Sequence, residues 1–509
     1  MRLSRAWVLV VVLSLLTSVI SIWPMLKSGV SGVFYTVDPD VQYLSNSFSY
    51  IEKGKIQYDV HPGTPTILLH ALILWPLRIY AKLVERQPFM TWVFNNVSWV
   101  YYYVRIFQAF WLGAATVVFL GAIYRWSKSV AVLAPAWFCL LTFTVFPYFG
   151  STIVPETTSF FLISLWLLVL AKYHKKIPAW VCLTLSTIAG LAVANKFSNL
   201  TLVPTSLVLV GFVSEKKLKE KINLSLIAVL IMITTFTMAT WSIRRSYPGM
   251  WSWVSVLAST TGTHGGGEKA FFDLAAYSVS AWSLVNHEWW PTLITAAVLV
   301  LLVGAILLRK VKLLSPLPLL GFIALASALV FAKFPLSHYQ VANYALILFI
   351  GSVLLSYLPR VIPLIILVTL LPAVSANLSN YRLSSLMMMS KAAALEDYIA
   401  EHPTIKGTLW EWARNKDFSF LWSRDWAHGV FDSELSRYRP NLLAITPDMQ
   451  MIKINNRELK EVFDVCWDQF FVQSVTAPRF LAKYPDRKLE YHQIPEVDDI
   501  GLIKSRHCQ

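Results

Sequence analysis

Residues 38–65 read DPDVQYLSNSFSYIEKGKIQYDVHPGTP and hold Asp38, Asp40, Glu52 and Asp59, four of the eleven acidic residues before position 380. The surrounding chain of 509 residues is 56% hydrophobic and only 14% charged, with a mean hydropathy of +0.54. Against that background a cluster of carboxylates needs a reason. The stretch follows the first apolar segment and closes with His61-Pro62-Gly63-Thr64-Pro65, where prolines and glycine fix a turn instead of continuing a helix. These residues therefore hold something in place beside a membrane.

Such a composition lies in the polytopic membrane class, far from soluble globular chains. The formal charge of +15 could suggest nucleic acid, but residues 380–509 carry 17 Lys and Arg against 18 Asp and Glu. The positive excess thus belongs to the apolar part, where basic residues flank spans and meet anionic head groups, and no nucleic-acid partner is expected. Four cysteines make no disulfide framework at this length. Cys139 and Cys182 lie in apolar runs as packing residues, and Cys466 and Cys508 pair only if the tail folds them together. The start, MRLSRAWVLVVVLSLLTSVISIW, has the basic-then-apolar plan of a signal sequence without a clear small-x-small cleavage site. It reads as a retained first span with a cytoplasmic N-terminus.

Apolar runs of roughly spanning length occur near 6–23, 100–124, 130–148, 157–172, 178–194, 199–213, 222–243, 291–308, 316–332, 339–358 and 361–378, which predicts about eleven transmembrane helices. Alternate loops then collect Arg125 and Lys128, Lys172 to Lys176, Lys216 to Lys221, Arg309 to Lys312, and Arg360 on one side, which the positive-inside rule makes the cytoplasm. The segment 65–84 is also long enough to cross, but counting it would export the lysine cluster. It is therefore expected to lie in the outer interface or to be re-entrant, a setting that suits Trp75, Arg78 and Lys82.

An odd number of spans places residues 380–509 outside the cytoplasm, where the composition becomes that of a soluble domain. Helical periodicity in SSLMMMSKAAALEDYIAEH gives way to short apolar strands, NLLAIT, FFVQSV, LEYHQI and IGLIKS. The expected architecture is a mainly α polytopic membrane domain over 1–379, with an external loop at 24–99, and a small extracytoplasmic α/β domain over 380–509. The glycine-rich THGGGEK, with His264 to Lys269, reads as a flexible linker or a mobile lid.

Two lysines stand out chemically. Lys196 and Lys333 sit at the outer ends of spans, where a cation is costly unless it snorkels or meets an anion. With Asp38, Asp40 and His61 on the same membrane face, they suit a phosphate-bearing lipid attacked by a hydroxyl that a carboxylate deprotonates. Asp38 and Asp40 could equally cap a helix beginning near Val41, and two carboxylates so close also invite a divalent cation. No other cofactor is expected. Glu156, following Pro155, reads as a helix-start residue or a substrate ligand. Arg105 and the pair Arg244-Arg245 read as phosphate ligands or interfacial anchors, and His287-Glu288 lacks a third metal ligand.

These motifs together resemble the membrane-embedded GT-C glycosyltransferases, in particular the branch of protein O-mannosyltransferases and lipid A aminoarabinose transferases. The resemblance rests on Asp38-Pro39-Asp40-Val41-Gln42-Tyr43, on His61 before its prolines, on Gly190-Leu191-Ala192 leading to Lys196, and on Lys333 followed by His338-Tyr339. It covers roughly residues 1–378 in order. The acidic pair is split by Pro39, with Tyr43 three residues beyond Asp40, and His61 stands where a lysine is usual. The resemblance implies a glycosyltransferase of a prokaryotic inner membrane, taking a hexosyl or pentosyl group from a polyprenyl-phosphate donor. The acceptor would be a lipid, glycan or protein on the extracytoplasmic face. It implies Asp40 or Asp38 as base, Lys196, Lys333, His61 and Arg105 on the donor phosphate, and Tyr43, His338, Tyr339 and Glu156 on the substrate. The alternative is a polytopic transporter or lipid flippase. Transporters usually show repeated halves and midplane charges, and neither is evident in this sequence.

Overall fold

The structure is a computed structural model. It describes residues 5–28, 40–56, 63–143, 145–213, 217–260, 268–270, 273–287, 289–313, 315–331, 333, 336–401, 407–409, 443–445, 451–452, 469–474, 477–483, 485, 489–494 and 497–505. The helices run in order as α1 (Arg5–Ser28), α2 (Asp40–Lys53), α3 (Thr64–Leu83), α4 (Phe89–Asn95), α5 (Val97–Ser127), α6 (Leu133–Thr142), α7 (Val145–Phe149), α8 (Pro155–Tyr173) and α9 (Ala179–Asn195). They continue as α10 (Leu202–Val210), α11 (Leu218–Ala239), α12 (Tyr247–Ser259), α13 (Leu274–His287), α14 (Trp289–Leu307), α15 (Pro316–Phe331), α16 (Val341–Leu355) and α17 (Val361–Glu401).

Each of the eleven expected apolar runs is helical. Among the described residues seven helices are long and apolar enough to cross a membrane, and five further apolar helices are 10–17 residues long. The chain is a multi-pass membrane protein of mainly α architecture. One difference from the sequence reading is physical. The run 130–148 is not one helix, because Phe143 turns extended (φ −86°, ψ 114°) and separates α6 from the five-residue α7. The segment 65–84 forms a twenty-residue helix that meets the same length and hydropathy measure as the expected spans, with Pro76 inside it.

The chain divides into two compact units, Met1–Ile22 with Asp59–Thr66 and Ile106–Tyr381, and Trp23–Tyr58 with Ile67–Arg105 and Arg382–Gln509. In the first, α16 is the centre: all of its residues are buried, and it packs against α6, α8, α14 and α15. Lipid tails are as apolar as leucine, so such helices associate through close packing and interhelical hydrogen bonds. Trp137 donates to the Thr17 hydroxyl at 2.8 Å, Trp166 to Ser206 at 3.0 Å, and Asn377 to the Leu141 carbonyl at 2.7 Å. The outward faces of α11 and α14, with Leu226, Leu230, Val300 and Leu307 exposed, present the apolar surface that acyl chains cover.

In the second unit Ser47 of α2 donates to the Ile67 carbonyl at 3.0 Å, and Arg78 pairs with Glu52 at 3.0 Å. This unit also contains a six-stranded sheet ordered β3-β2-β1-β4-β6-β5, from β1 (Gly407–Leu409), β2 (Leu443–Ile445), β3 (Met451–Ile452), β4 (Gln469–Gln473), β5 (Leu489–Ile494) and β6 (Val497–Ser505). β1 is parallel to β2 and β4, and the remaining pairs are antiparallel. All four short apolar strands expected from the sequence are present. The expected helix over 384–402 forms the end of α17, which runs on without interruption from the last apolar run.

Gly190 shows how tightly α9 meets α11. A Cβ there would lie 2.7 Å from the Met232 carbonyl oxygen and 3.0 Å from Thr235 Cβ. Backbone cannot yield as a flexible side chain can, so Gly190→Ala is expected to destabilise the protein by about 1–3 kcal/mol. Thermal unfolding in detergent measures this, and an unchanged midpoint would mean that the helices have slack.

Candidate functional site

The site grows from the start of α8. Val154 is extended (φ −132°, ψ 154°), and Pro155 occupies the first helical turn, where its missing N–H costs nothing and its fixed φ suits the helix. Glu156 follows in the same turn, so its carboxylate faces the positive end of the helix dipole. Both expected features of a helix start are present, yet Glu156 is only 4% exposed and needs a partner besides the dipole.

That partner comes from the end of α9. The helix stops at Asn195 because Lys196 adopts an extended backbone (φ −159°, ψ 134°), after which Phe197–Thr201 form a 3-10 turn leading into α10. Lys196 is 7% exposed, and its ammonium donates to Glu156 Oε1 in a buried ion pair. The same Nζ lies 5.0 Å from the ring centroid of Tyr339, close enough for a cation–π contact. Tyr339 in turn packs on His338, ring centroids 4.2 Å apart. The structure therefore unites Lys196, Glu156 and Tyr339, three residues that stand in separate parts of the sequence.

Around the pair lies a net of neutral hydrogen bonds. Asn195 Nδ2 donates to the Pro155 carbonyl at 2.7 Å and to Ser159 Oγ at 2.9 Å. Asn195 Oδ1 accepts from the Thr66 N–H at 3.1 Å and the Thr66 hydroxyl at 2.7 Å. Asn199 Nδ2 donates to Ser159 Oγ at 2.8 Å and to the Ala192 carbonyl at 2.7 Å. The Gly63 N–H reaches the Ala194 carbonyl at 3.0 Å, with Gly63 at φ 109°, a conformation that favours glycine. Thr201, Asn343 and Gln340 extend the net to the start of α16. Two buried acceptors, Glu156 Oε2 and Asn199 Oδ1, have no hydrogen-bond partner among the described residues.

The other expected site residues are placed differently. Lys333 donates to the carbonyls of Leu257 (3.0 Å) and Ala258 (3.4 Å), in the last turn of α12, where a cation meets the negative end of a helix. Burial pushes its pKa below the ordinary lysine value. Arg105 is fully buried with its guanidinium 6.0 Å from the Tyr101 ring, and Tyr43 is buried on α2. Asp40 begins α2, with only its backbone described. Asp38, His61, Glu288 and residues 261–267 lie outside the described residues, although Thr260 and Lys269 on either side of the glycine-rich loop pair in an antiparallel bridge. Arg244 stays exposed over Trp241 at 4.7 Å, as an interfacial anchor would. Among the described residues no three His, Cys, Asp or Glu side chains gather as a metal site. Asn195, Asn199, Ser159 and Thr66 escaped the sequence reading. The signal for Asn195, Asn199 and Ser159 was the run of polar residues in ANKFSNLT and PETTS, inside otherwise apolar helix ends.

No protein-family model matches the chain, and no curated protein matches it in sequence. Among solved structures it matches ArnT from Cupriavidus metallidurans bound to undecaprenyl phosphate, at a TM-score of 0.54 and 13% identity, covering 98% of each chain. It also matches ArnT from the same organism in the apo state, at 0.53 and 13%, covering 92% of this chain and 95% of that one. At this identity the likeness is one of fold. The polytopic helical fold with a small C-terminal sheet expected from the sequence is shared with these ArnT structures, and the match includes the tail as well as the membrane region.

Removing one member of a buried ion pair leaves an uncompensated charge, which costs about 3–5 kcal/mol. Lys196→Met should therefore lower stability by that order, while the double variant Glu156→Gln/Lys196→Met recovers most of the loss. Chemical or thermal unfolding of both variants decides the matter, and equal destabilisation of single and double variants would show that the pair is not coupled.

Proposed function

We propose that the protein is a membrane glycosyltransferase that moves a sugar from a polyprenyl-phosphate donor to an acceptor at the extracytoplasmic face. The observation that carries this reading is the buried Lys196 ammonium at a polar junction of helix ends, in a fold shared with a protein whose structure holds undecaprenyl phosphate. A long-chain lipid phosphate needs a cation at the membrane edge, and a buried one acts in a low dielectric where each charge counts for more.

In the reaction an acceptor oxygen, or a similar nucleophile, forms a bond to the anomeric carbon while the bond from that carbon to the donor phosphate oxygen breaks. The nucleophile's proton passes to Asp40 or Asp38, and the electron pair of the broken bond leaves with the phosphate. Lys196, joined in this assignment by Lys333, Arg105 and His61, neutralises the charge that grows on the leaving polyprenyl phosphate. Glu156 holds Lys196 in place before donor arrives and, with Tyr43, His338 and Tyr339, contacts the substrate. A divalent cation held by Asp38 and Asp40 would add further neutralisation at the acidic loop.

The test is incubation of purified protein with a panel of polyprenyl-phosphate hexoses and pentoses, assayed for free polyprenyl phosphate. Turnover with at least one donor is expected, and Asp40→Asn should reduce it by at least about two orders of magnitude while donor binding persists. The amide keeps the shape of aspartate without accepting a proton. Release from no donor, or normal turnover in both the Asp40→Asn and Asp38→Asn variants, overturns the assignment.

The reading also sets a topology, with the N-terminus and Lys217 cytoplasmic, Asn95 and the tail extracytoplasmic, and α3 in the outer interface. Impermeant thiol reagent applied to intact cells is expected to label a cysteine at position 95 and not one at 217. The reverse pattern would make α3 a full span.

A further inference from the structure

Asn195 uses its whole hydrogen-bonding capacity within the protein. An amide offers two donors and an oxygen with two lone pairs, and all four meet partners: Pro155 and Ser159 on α8, and the N–H and hydroxyl of Thr66 at the start of α3. Its side chain is fully buried. The next residue is Lys196, where the chain leaves the helix in an extended conformation, so the direction of the lysine depends on how the last residue of α9 is anchored. Both α8 ends of that anchor, Pro155 and Ser159, flank Glu156 in sequence, and Glu156 is the carboxylate that receives the Lys196 ammonium. One amide thus ties the backbone that carries the cation to the helix turn that carries its anion.

We infer that Asn195 is a positioning residue for Lys196: it fixes the exit of α9 against the first turn of α8, and so aims the ammonium at the phosphate of the lipid donor. This rests on the reading of Lys196 as a phosphate ligand given above. Asn195 itself, with every polar atom taken by Thr66, Pro155 and Ser159, acts only through its neighbour. A purely structural clamp would instead support the fold without any specific link to Lys196.

The two cases separate in a double-mutant cycle on the full chain in detergent, with undecaprenyl phosphate as the probe and its Kd as the readout. Lys196→Met should weaken binding by about tenfold or more, the loss of a charge-assisted contact. Asn195→Ala should weaken it by a similar factor, and Asn195→Ala/Lys196→Met should bind no more weakly than Lys196→Met alone. An unchanged Kd in Asn195→Ala, or a loss that multiplies with that of Lys196→Met, overturns the inference while leaving Lys196 on the phosphate. An unchanged Kd in Lys196→Met overturns the reading of Lys196 itself, and the inference with it. Should Asn195→Ala fail to fold, Ser159→Ala removes one acceptor of the same amide. A weakening by Ser159→Ala that vanishes in the Lys196→Met background supports the inference, and a weakening that persists there, or none at all, defeats it.

Discussion

The junction of α8, α9 and the 3-10 turn depends on one buried ion pair between Glu156 and Lys196. Taking two charges out of water costs several kcal/mol each, and their attraction repays this only when the remaining lone pairs and protons are also met. Lys196 satisfies the condition with a carboxylate and an aromatic face. Glu156 satisfies it in part, since Oε1 takes the ammonium and Oε2 has no hydrogen-bond partner among the described residues. A pair of this kind contributes little to stability over an apolar replacement of similar volume.

The neutral net explains how such a pair persists. Irregular backbone at membrane depth is tolerated only where it is buried in protein or lines a polar cavity. The break after Asn195 meets that requirement through side chains: Asn195 accepts from the open Thr66 N–H at the start of α3 and donates to the Pro155 carbonyl, Asn199 donates to the Ala192 carbonyl, and Ser159 accepts from both amides. Asparagine and serine fit here because they carry compact donors and acceptors without adding charge. The same residues would weaken a helix interior, where they compete with the backbone ladder.

Much of this was legible in the sequence, and the limits have physical causes. Apolar runs marked the helices because a bilayer demands them, and short apolar stretches marked LEYHQI and IGLIKS as β5 and β6. The break at Phe143 left no mark, since a phenylalanine among apolar neighbours carries no stop signal. Lys196 and Glu156 each drew notice, but each had a sufficient local explanation, as a snorkelling cation and a helix-start acid. Their pairing across 40 positions is a product of packing, which local pattern does not encode. Lys333 was read with Lys196 as a phosphate ligand, and in the structure it donates to carbonyls at the end of α12, just before the extended Thr260.

The contrast between the two lysines bears on which of them can respond to a ligand. Lys333 donates to two carbonyls in the last turn of α12, where a cation meets the negative end of a helix. Lys196 is held by a carboxylate, and a second anion would have to share its ammonium with Glu156, whose repulsion grows as the phosphate approaches. A carboxylate beside the lysine opposes any incoming anion, and opposes a more highly charged one more strongly. Glu156 therefore both holds the Lys196 ammonium and lowers the net positive charge that the pair presents to a second anion.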